Sequence, residues 1–174
     1  SYLLQRKVGH YDQNNKLITD YKLHSGVPQG STLSPTLFNI GMSEVHKTFN
    51  ESDNLKLLSY ADDLLLIAGI NKTENVKEIN DKIRTVNHTL KNLGLCLNPN
   101  KTQMLFVSRK HNKDTFQREI EKEIKLDEEN LKFMTEMKYL GVILDPLMNY
   151  NKHTEYIIGK IKKYYNKFRS LYGN

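Results

Sequence analysis

Cysteine is nearly missing from this sequence: Cys96 stands alone among 174 residues. A single thiol excludes an internal disulfide, and a reducing, intracellular compartment is expected. Cys96 alternates with Leu95 and Leu97 in a short apolar run, the pattern of a packed residue rather than a catalytic thiol. No apolar run approaches the roughly 20 residues needed to span a bilayer, so no membrane partner is expected. The start carries no signal or transit pattern. Ser1 is not a natural initiator, so the chain is expected to be cut from a longer one. No internal repeat and no linker divides it. What is present is enough length for one domain with a real core. Lys and Arg number 26 against 20 Asp and Glu, a net charge of +6. That balance favours a polyanionic partner, although many soluble proteins share it.

The most unusual stretch is Ser59-Tyr60-Ala61-Asp62-Asp63. Leu55, Leu57 and Leu58 precede it, and Leu64 to Ala68 follow it. Dense apolar runs on both sides predict two buried strands with the acids at or near a hairpin turn. Asp tolerates turn geometry, so a solvated turn accounts for the pair by itself. Two carboxylates on a rigid apolar scaffold also suit a divalent cation, because Mg²⁺ takes hard oxygen ligands.

Residues 1 to 24 read as the tail of a helix and then a hairpin, turning at Asp12-Gln13-Asn14-Asn15, with its second arm over Lys16 to Leu23. Ser25-Gly26-Val27-Pro28-Gln29-Gly30-Ser31 is a loop: two glycines free the backbone and Pro28 stiffens it. Ser34 is expected as a helix N-cap with Pro35 at the first helical position. Phe38, Met42, Val45 and Phe49 then form one apolar helix face. Thr73 is expected to cap a second helix striped by Val76, Ile79, Ile83, Val86, Leu90 and Leu93, with Gly94 just past its end. A strand is expected over Gly94 to Ser108, interrupted by the Asn98-Pro99-Asn100 turn. Arg109 to Asn130 is charge-dense and is expected to be an exposed loop plus a short edge element, Glu123 to Leu126. Lys138 to Leu144 is a further strand region with Gly141 easing a tight bend. From about Lys152 to Leu171 a third helix carries Ile157, Ile161, Tyr164, Phe168 and Leu171 on one face and Lys160, Lys162, Lys163, Lys167 and Arg169 elsewhere. Antiparallel hairpins with helices on one side predict an α+β fold.

Four blocks in order carry a resemblance: the Gly26-Val27-Pro28-Gln29-Gly30 loop, Tyr60-Ala61-Asp62-Asp63, Leu93 to Thr102, and Lys138-Tyr139-Leu140-Gly141-Val142. Over about residues 20 to 165 the sequence resembles the reverse transcriptase family, most closely the non-LTR retrotransposon type. The resemblance implies the C-terminal part of a palm, a ferredoxin-like antiparallel sheet backed by two helices, over residues 1–150, and the start of a thumb over 151–174. It implies RNA-directed DNA synthesis by two-metal nucleotidyl transfer. Asp62 and Asp63 become catalytic metal ligands for Mg²⁺, with Mn²⁺ as a substitute. Lys101 becomes the candidate that stabilises or protonates the leaving pyrophosphate. Pro28, Gln29, Gly30 and Tyr60 would lie at the template and incoming nucleotide. Tyr139, Leu140 and Gly141 would grip the primer end. Lys160, Lys163 and Lys167 would follow the nucleic-acid backbone.

The implied partners are an RNA template, a DNA primer, deoxynucleoside triphosphates and the remainder of the polymerase, fingers included, in the nucleus. One difficulty is visible already. Neighbours on a strand point to opposite faces, so Asp62 and Asp63 face one site only if the turn re-aims one. The family's third carboxylate has no match in residues 1 to 24, where Asp12 and Asp20 have the wrong neighbours. Activity is therefore not expected from this stretch alone. A catalytically silent nucleic-acid-binding module stays open as the alternative. A nucleotide cyclase also places paired acids on a palm hairpin, but the Pro28-Gln29-Gly30 and Tyr139-Leu140-Gly141 blocks do not belong to one.

Overall fold

Glycines, turn-forming Asn and Asp, and short β-rich runs divide the chain into hairpins separated by amphipathic helices. The computed structural model describes residues 6–23, 26–52, 54–70, 75–108 and 113–172. Its elements in order are β1 (Arg6–Tyr11), β2 (Leu17–Leu23), α1 (Ser34–Phe49), β3 (Leu55–Tyr60), β4 (Asp63–Ala68), α2 (Asn75–Asn92), α3 (Lys113–Glu123), β5 (Lys125–Leu126), β6 (Glu129–Asn130), β7 (Met137–Tyr139), β8 (Val142–Leu144) and α4 (Asn151–Tyr172). The expected α+β class is borne out, with antiparallel strand pairs and four helices among the described residues, consistent with a partial palm. Each described strand pairs only with its hairpin partner, giving four two-stranded ribbons rather than one continuous sheet. The chain forms two compact units: Ser1–Ile70 with Asp81–Leu97, and Asn71–Asn80 with Asn98–Asn174.

In the first unit the β1–β2 turn falls at the expected Asn-rich stretch. Asp12 Oδ1 accepts the backbone N–H groups of Asn14 (2.9 Å) and Lys16 (2.8 Å), so this carboxylate serves a turn. The expected helix before β1 and the Thr73 cap lie outside the described residues. On α1 the apolar stripe is as read: Met42, Val45 and Phe49 are buried. Ser34 is a correction. It is the first helical residue, Leu33 holds the cap position, and no side chain caps the helix. The Ser34 hydroxyl donates instead to the Pro28 carbonyl, tying the helix start to the preceding loop. At the other end, Lys82 Nζ of α2 donates to the carbonyls of Phe49 and of Asn50 (2.8 Å) and lies 5.2 Å from the Phe49 ring centroid. A cation there satisfies otherwise open carbonyls and complements the helix dipole. Thr48 and Thr89 join α1 to α2 through a 3.1 Å hydroxyl contact. Gly94, at φ 76°, ends α2 as expected. Gly94 N–H donates to Lys91 O (3.0 Å) and Leu95 N–H to Leu90 O (2.9 Å), the paired bonds of a Schellman ending.

The expected strand over Gly94 to Ser108 is absent. Asn98 turns the chain on itself: its carbonyl accepts N–H groups of Lys101 (3.0 Å) and Thr102 (2.9 Å), and its side chain accepts Asn100 N–H (3.0 Å). Backbone groups spent locally do not join a ladder. Only an isolated parallel bridge, Met104 to Phe133, remains. Cys96 is accordingly exposed, not packed.

The second unit corrects the charge-dense stretch, which contains α3. Phe116, Ile120 and Ile124 recur every four residues, and Ile120 is fully buried beside the buried Ile124, Leu126 and Leu131 elsewhere in this unit. Phe106 meets Phe116 and Phe133 edge-on at 6.2 and 5.6 Å. Asn80 bridges the end of α3 to β5, donating to Glu123 O (2.8 Å) and accepting from Lys125 N–H (3.1 Å).

Asp145 organises the passage from β8 to α4. Only 7% exposed, its carboxylate accepts N–H groups of Leu147 (2.9 Å) and Tyr150 (3.1 Å) and a longer one from Asn149 (3.5 Å). Asp145→Ala leaves these donors without their acceptor and is expected to cost about 1–3 kcal/mol. Denaturant unfolding, with hydrogen exchange at the Leu147 and Tyr150 amides, checks this. An unchanged midpoint with unchanged protection contradicts the role given to Asp145.

Candidate active site

The β3–β4 hairpin sets the geometry of the acidic pair. Its register pairs Leu55 with Ala68, Leu57 with Leu66 and Tyr60 with Asp63, leaving Ala61 and Asp62 as a two-residue loop. Ala61 takes φ 50°, the left-handed geometry that tight hairpin loops demand. Asp62 therefore lies in the turn and only Asp63 lies on a strand. The alternation that separates adjacent strand residues does not apply to the pair. Directly opposed residues share a face, so Tyr60 and Asp63 lie with Leu58, Leu65 and Ile67 on the face opposite the buried Leu55 and Leu57. Both carboxylates are exposed, and Tyr60 is 65% exposed.

The hairpin is braced from α1 and from the segment that follows it. His46 Nε2 and Ser59 Oγ form a 2.8 Å hydrogen bond one residue before Tyr60, and Glu51 Oε1 accepts Leu57 N–H at 3.0 Å. Sequence reasoning missed both braces. They join residues 13 and 6 apart through side chains with no periodic signal.

The Gly-rich loop belongs to the same unit. Gly26 and Gly30 take φ of 80° and 83°, and a Cβ at either would meet nothing within 4 Å. Backbone conformation, not space, is what requires glycine there. Gln29 and Gly30 are exposed and Pro28 is half-buried. Pro28 accepts from both Ser31 N–H (3.4 Å) and the Ser34 hydroxyl, so the loop is folded onto the start of α1.

The remaining residues singled out from the sequence belong to the second unit. Lys101 is exposed in the Asn98 turn. Tyr139, Leu140 and Gly141 close the β7–β8 hairpin, with φ of 45° at Leu140 and 87° at Gly141. Positive φ at both loop positions is the signature of a type I′ turn. Lys160, Lys163 and Lys167 lie on α4, which has no buried residue; its apolar stripe, Ile161 to Leu171, is exposed as well.

Beside them is a cluster not anticipated as a unit. Lys138 Nζ donates to Tyr156 Oη at 3.1 Å, and the ammonium groups of Lys138 and Lys160 lie 5.0 and 4.8 Å from the Tyr156 ring centroid. Hydrogen bonding from Lys160, then Lys138, holds the Tyr156 phenol below the usual tyrosine pKa. The same contact raises the Lys160 ammonium. The Tyr156–Lys160 spacing of four on a helix was a readable signal; the approach of Lys138 was not.

The family model for reverse transcriptase (RNA-dependent DNA polymerase) matches residues 1–144. The chain belongs to the reverse transcriptase family. No curated protein and no solved structure matches it. Membership implies nucleic-acid and nucleotide substrates. The matched residues hold the Gly-rich loop, the Asp62–Asp63 hairpin, Lys101 and the β7–β8 turn; α4 follows them. Among the described residues no helix is long and apolar enough to cross a membrane. Among them, too, no group of three or more His, Cys, Asp or Glu residues converges to hold a metal.

Proposed function

We propose that this chain is palm and thumb-start sequence of an RNA-directed DNA polymerase of the non-LTR retrotransposon type, using two-metal nucleotidyl transfer. The observation that carries the reading is the exposed hairpin tip bearing Asp62 and Asp63 inside the family-matched residues. Hard, anionic, solvent-facing oxygens on a rigid hairpin suit Mg²⁺ or Mn²⁺, which usually take one or two protein carboxylates plus phosphate and water. Asp62 and Asp63 would hold the ions, and such ions supply Lewis acidity at the primer hydroxyl and the leaving pyrophosphate.

The chain's own residues do the positioning. The Pro28-Gln29-Gly30 backbone offers a surface with no projecting Cβ at Gly30, suited to close approach of a base pair. Tyr60 shares the exposed face of Asp63 and would bear on the incoming nucleotide. Lys101 would meet the departing phosphates as a point charge. The β7–β8 turn would seat the primer end, and the basic residues of α4 would follow the backbone.

Primer extension on an RNA template, with Mg²⁺ and deoxynucleoside triphosphates, tests the reading. A reverse transcriptase engineered to carry this palm segment, with its fingers and third carboxylate in place, is expected to extend. Residues 1–174 alone are expected not to extend, and to bind Mg²⁺ only weakly by calorimetry, because two acids leave most of the coordination to other ligands. Asp63-dependent extension by residues 1–174 alone contradicts the two-acid account. A folded chimera without extension contradicts the enzyme reading and favours a silent nucleic-acid-binding module.

A further inference from the structure

We propose that Lys138 and Lys160, held together by Tyr156, form one site for a single phosphate oxyanion, supplied by a nucleic-acid backbone. The proposal rests on the nucleic-acid reading above and adds two residues to it, Lys138 and Tyr156. Two ammonium groups drawn to one aromatic ring repel each other. The electron-rich ring face and the phenol oxygen offset part of that repulsion. An anion between the ammonium groups would offset the rest. Among the described residues no carboxylate forms an ion pair with Lys138 or Lys160.

Contacts between α4 and β8 bring the two lysine stems to the same ring. Ile143 N–H of β8 donates to His153 Nδ1 of α4 at 3.3 Å, and the His153 ring lies 6.3 Å from that of Tyr156. This fixes the first turns of α4 on the β7–β8 hairpin. Lys138 then reaches Tyr156 from the strand and Lys160 reaches it from the next helical turn. Both lysines are exposed and Tyr156 is half-buried, so both cations are open to a solvent-borne anion. The hairpin's Tyr139-Leu140-Gly141 turn follows Lys138 directly.

One shared phosphate has a signature that separate contacts lack. Each neutralised phosphate contributes about 0.9 to the slope of log K against log salt. If both lysines serve one phosphate, the Lys138→Ala, Lys160→Ala double variant flattens the slope by about 1. Each single variant then gives most of that change. Two independent phosphates would give about 2, additively. Tyr156→Leu, with both lysines intact, is expected to reproduce much of the double variant's loss, and Tyr156→Phe, which keeps the ring, much less.

Fluorescence anisotropy with a labelled RNA–DNA duplex at several salt concentrations reads these slopes. Circular dichroism confirms that α4 remains helical in each variant. Additive slopes or an unchanged slope overturn the shared site while leaving duplex binding in place. No duplex binding by the wild type at low salt overturns the nucleic-acid reading and this site together. A nucleoside triphosphate that displaces duplex from the wild type but not from the double variant identifies a free nucleotide as occupant and overturns the backbone assignment.

Discussion

Asp62→Asn is expected to lower primer extension by about 10²–10⁴-fold in a polymerase carrying this segment. The figure follows from several kcal/mol of transition-state charge stabilisation, at about 1.4 kcal/mol per tenfold in rate. An amide keeps the shape of the carboxylate and removes its charge, which is what a hard cation needs. Folding should be nearly indifferent. Asp62 sits in an exposed two-residue loop, and among the described residues no hydrogen bond or ion pair engages its carboxylate. Exposed substitutions of this kind change stability by about 0.5 kcal/mol or less. Asp63→Asn is expected to cost less than Asp62→Asn, since the family resemblance makes the first acid the direct ligand. Single-turnover extension rates beside melting curves settle the matter. Less than tenfold loss, or a larger loss for Asp63→Asn, removes Asp62 from the role assigned to it.

Phe49→Ala is expected to destabilise the first unit by about 3–5 kcal/mol. Small domains hold only about 5–15 kcal/mol in total, so this is a large share. Phe49 is fully buried, and its position concentrates several contacts. It is the last residue of α1, its ring faces the Lys82 ammonium at 5.2 Å, and its carbonyl accepts from the same Lys82. Removing the ring leaves a cavity and takes the aromatic face from Lys82. Phe49→Leu, which keeps most of the volume, should cost distinctly less. Urea unfolding followed by circular dichroism gives both values. A Phe49→Ala shift below about 1 kcal/mol would mean the site collapses around the loss.

The helices and the β3–β4 hairpin were legible because each repeats a signal. Val45, Phe49, Val76, Ile79, Val86 and Leu90 recur at helical spacing, and all are buried. Leu55 and Leu57 alternate with Lys56 and Leu58, and only the first two are buried. Where reasoning failed, the local signal was outweighed. The run around Cys96 looks like a strand, yet Asn98 takes up the neighbouring backbone donors in a turn. Lys113–Glu123 looks like solvated loop because charge dilutes its apolar stripe, yet one face with Ile120 is enough to make a helix when Phe106 meets both Phe116 and Phe133.

By itself the sequence determined family membership, the element types of α1, α2, α4 and the four-block motif order, because periodicity and motif spacing are properties of neighbours along the chain. It also determined that Asp62 and Asp63 lie at or near a tight turn, since apolar runs on both sides leave only a few residues between strands. Tertiary structure alone decided that Asp62 falls in the loop and Asp63 on the strand, a one-residue matter of register. It alone brought His46 to Ser59, Lys82 to the end of α1, and Lys138 to Tyr156. Those contacts join residues 13 to 32 positions apart through single side chains. No run of neighbouring residues encodes such a meeting; only the packing of one element on another creates it.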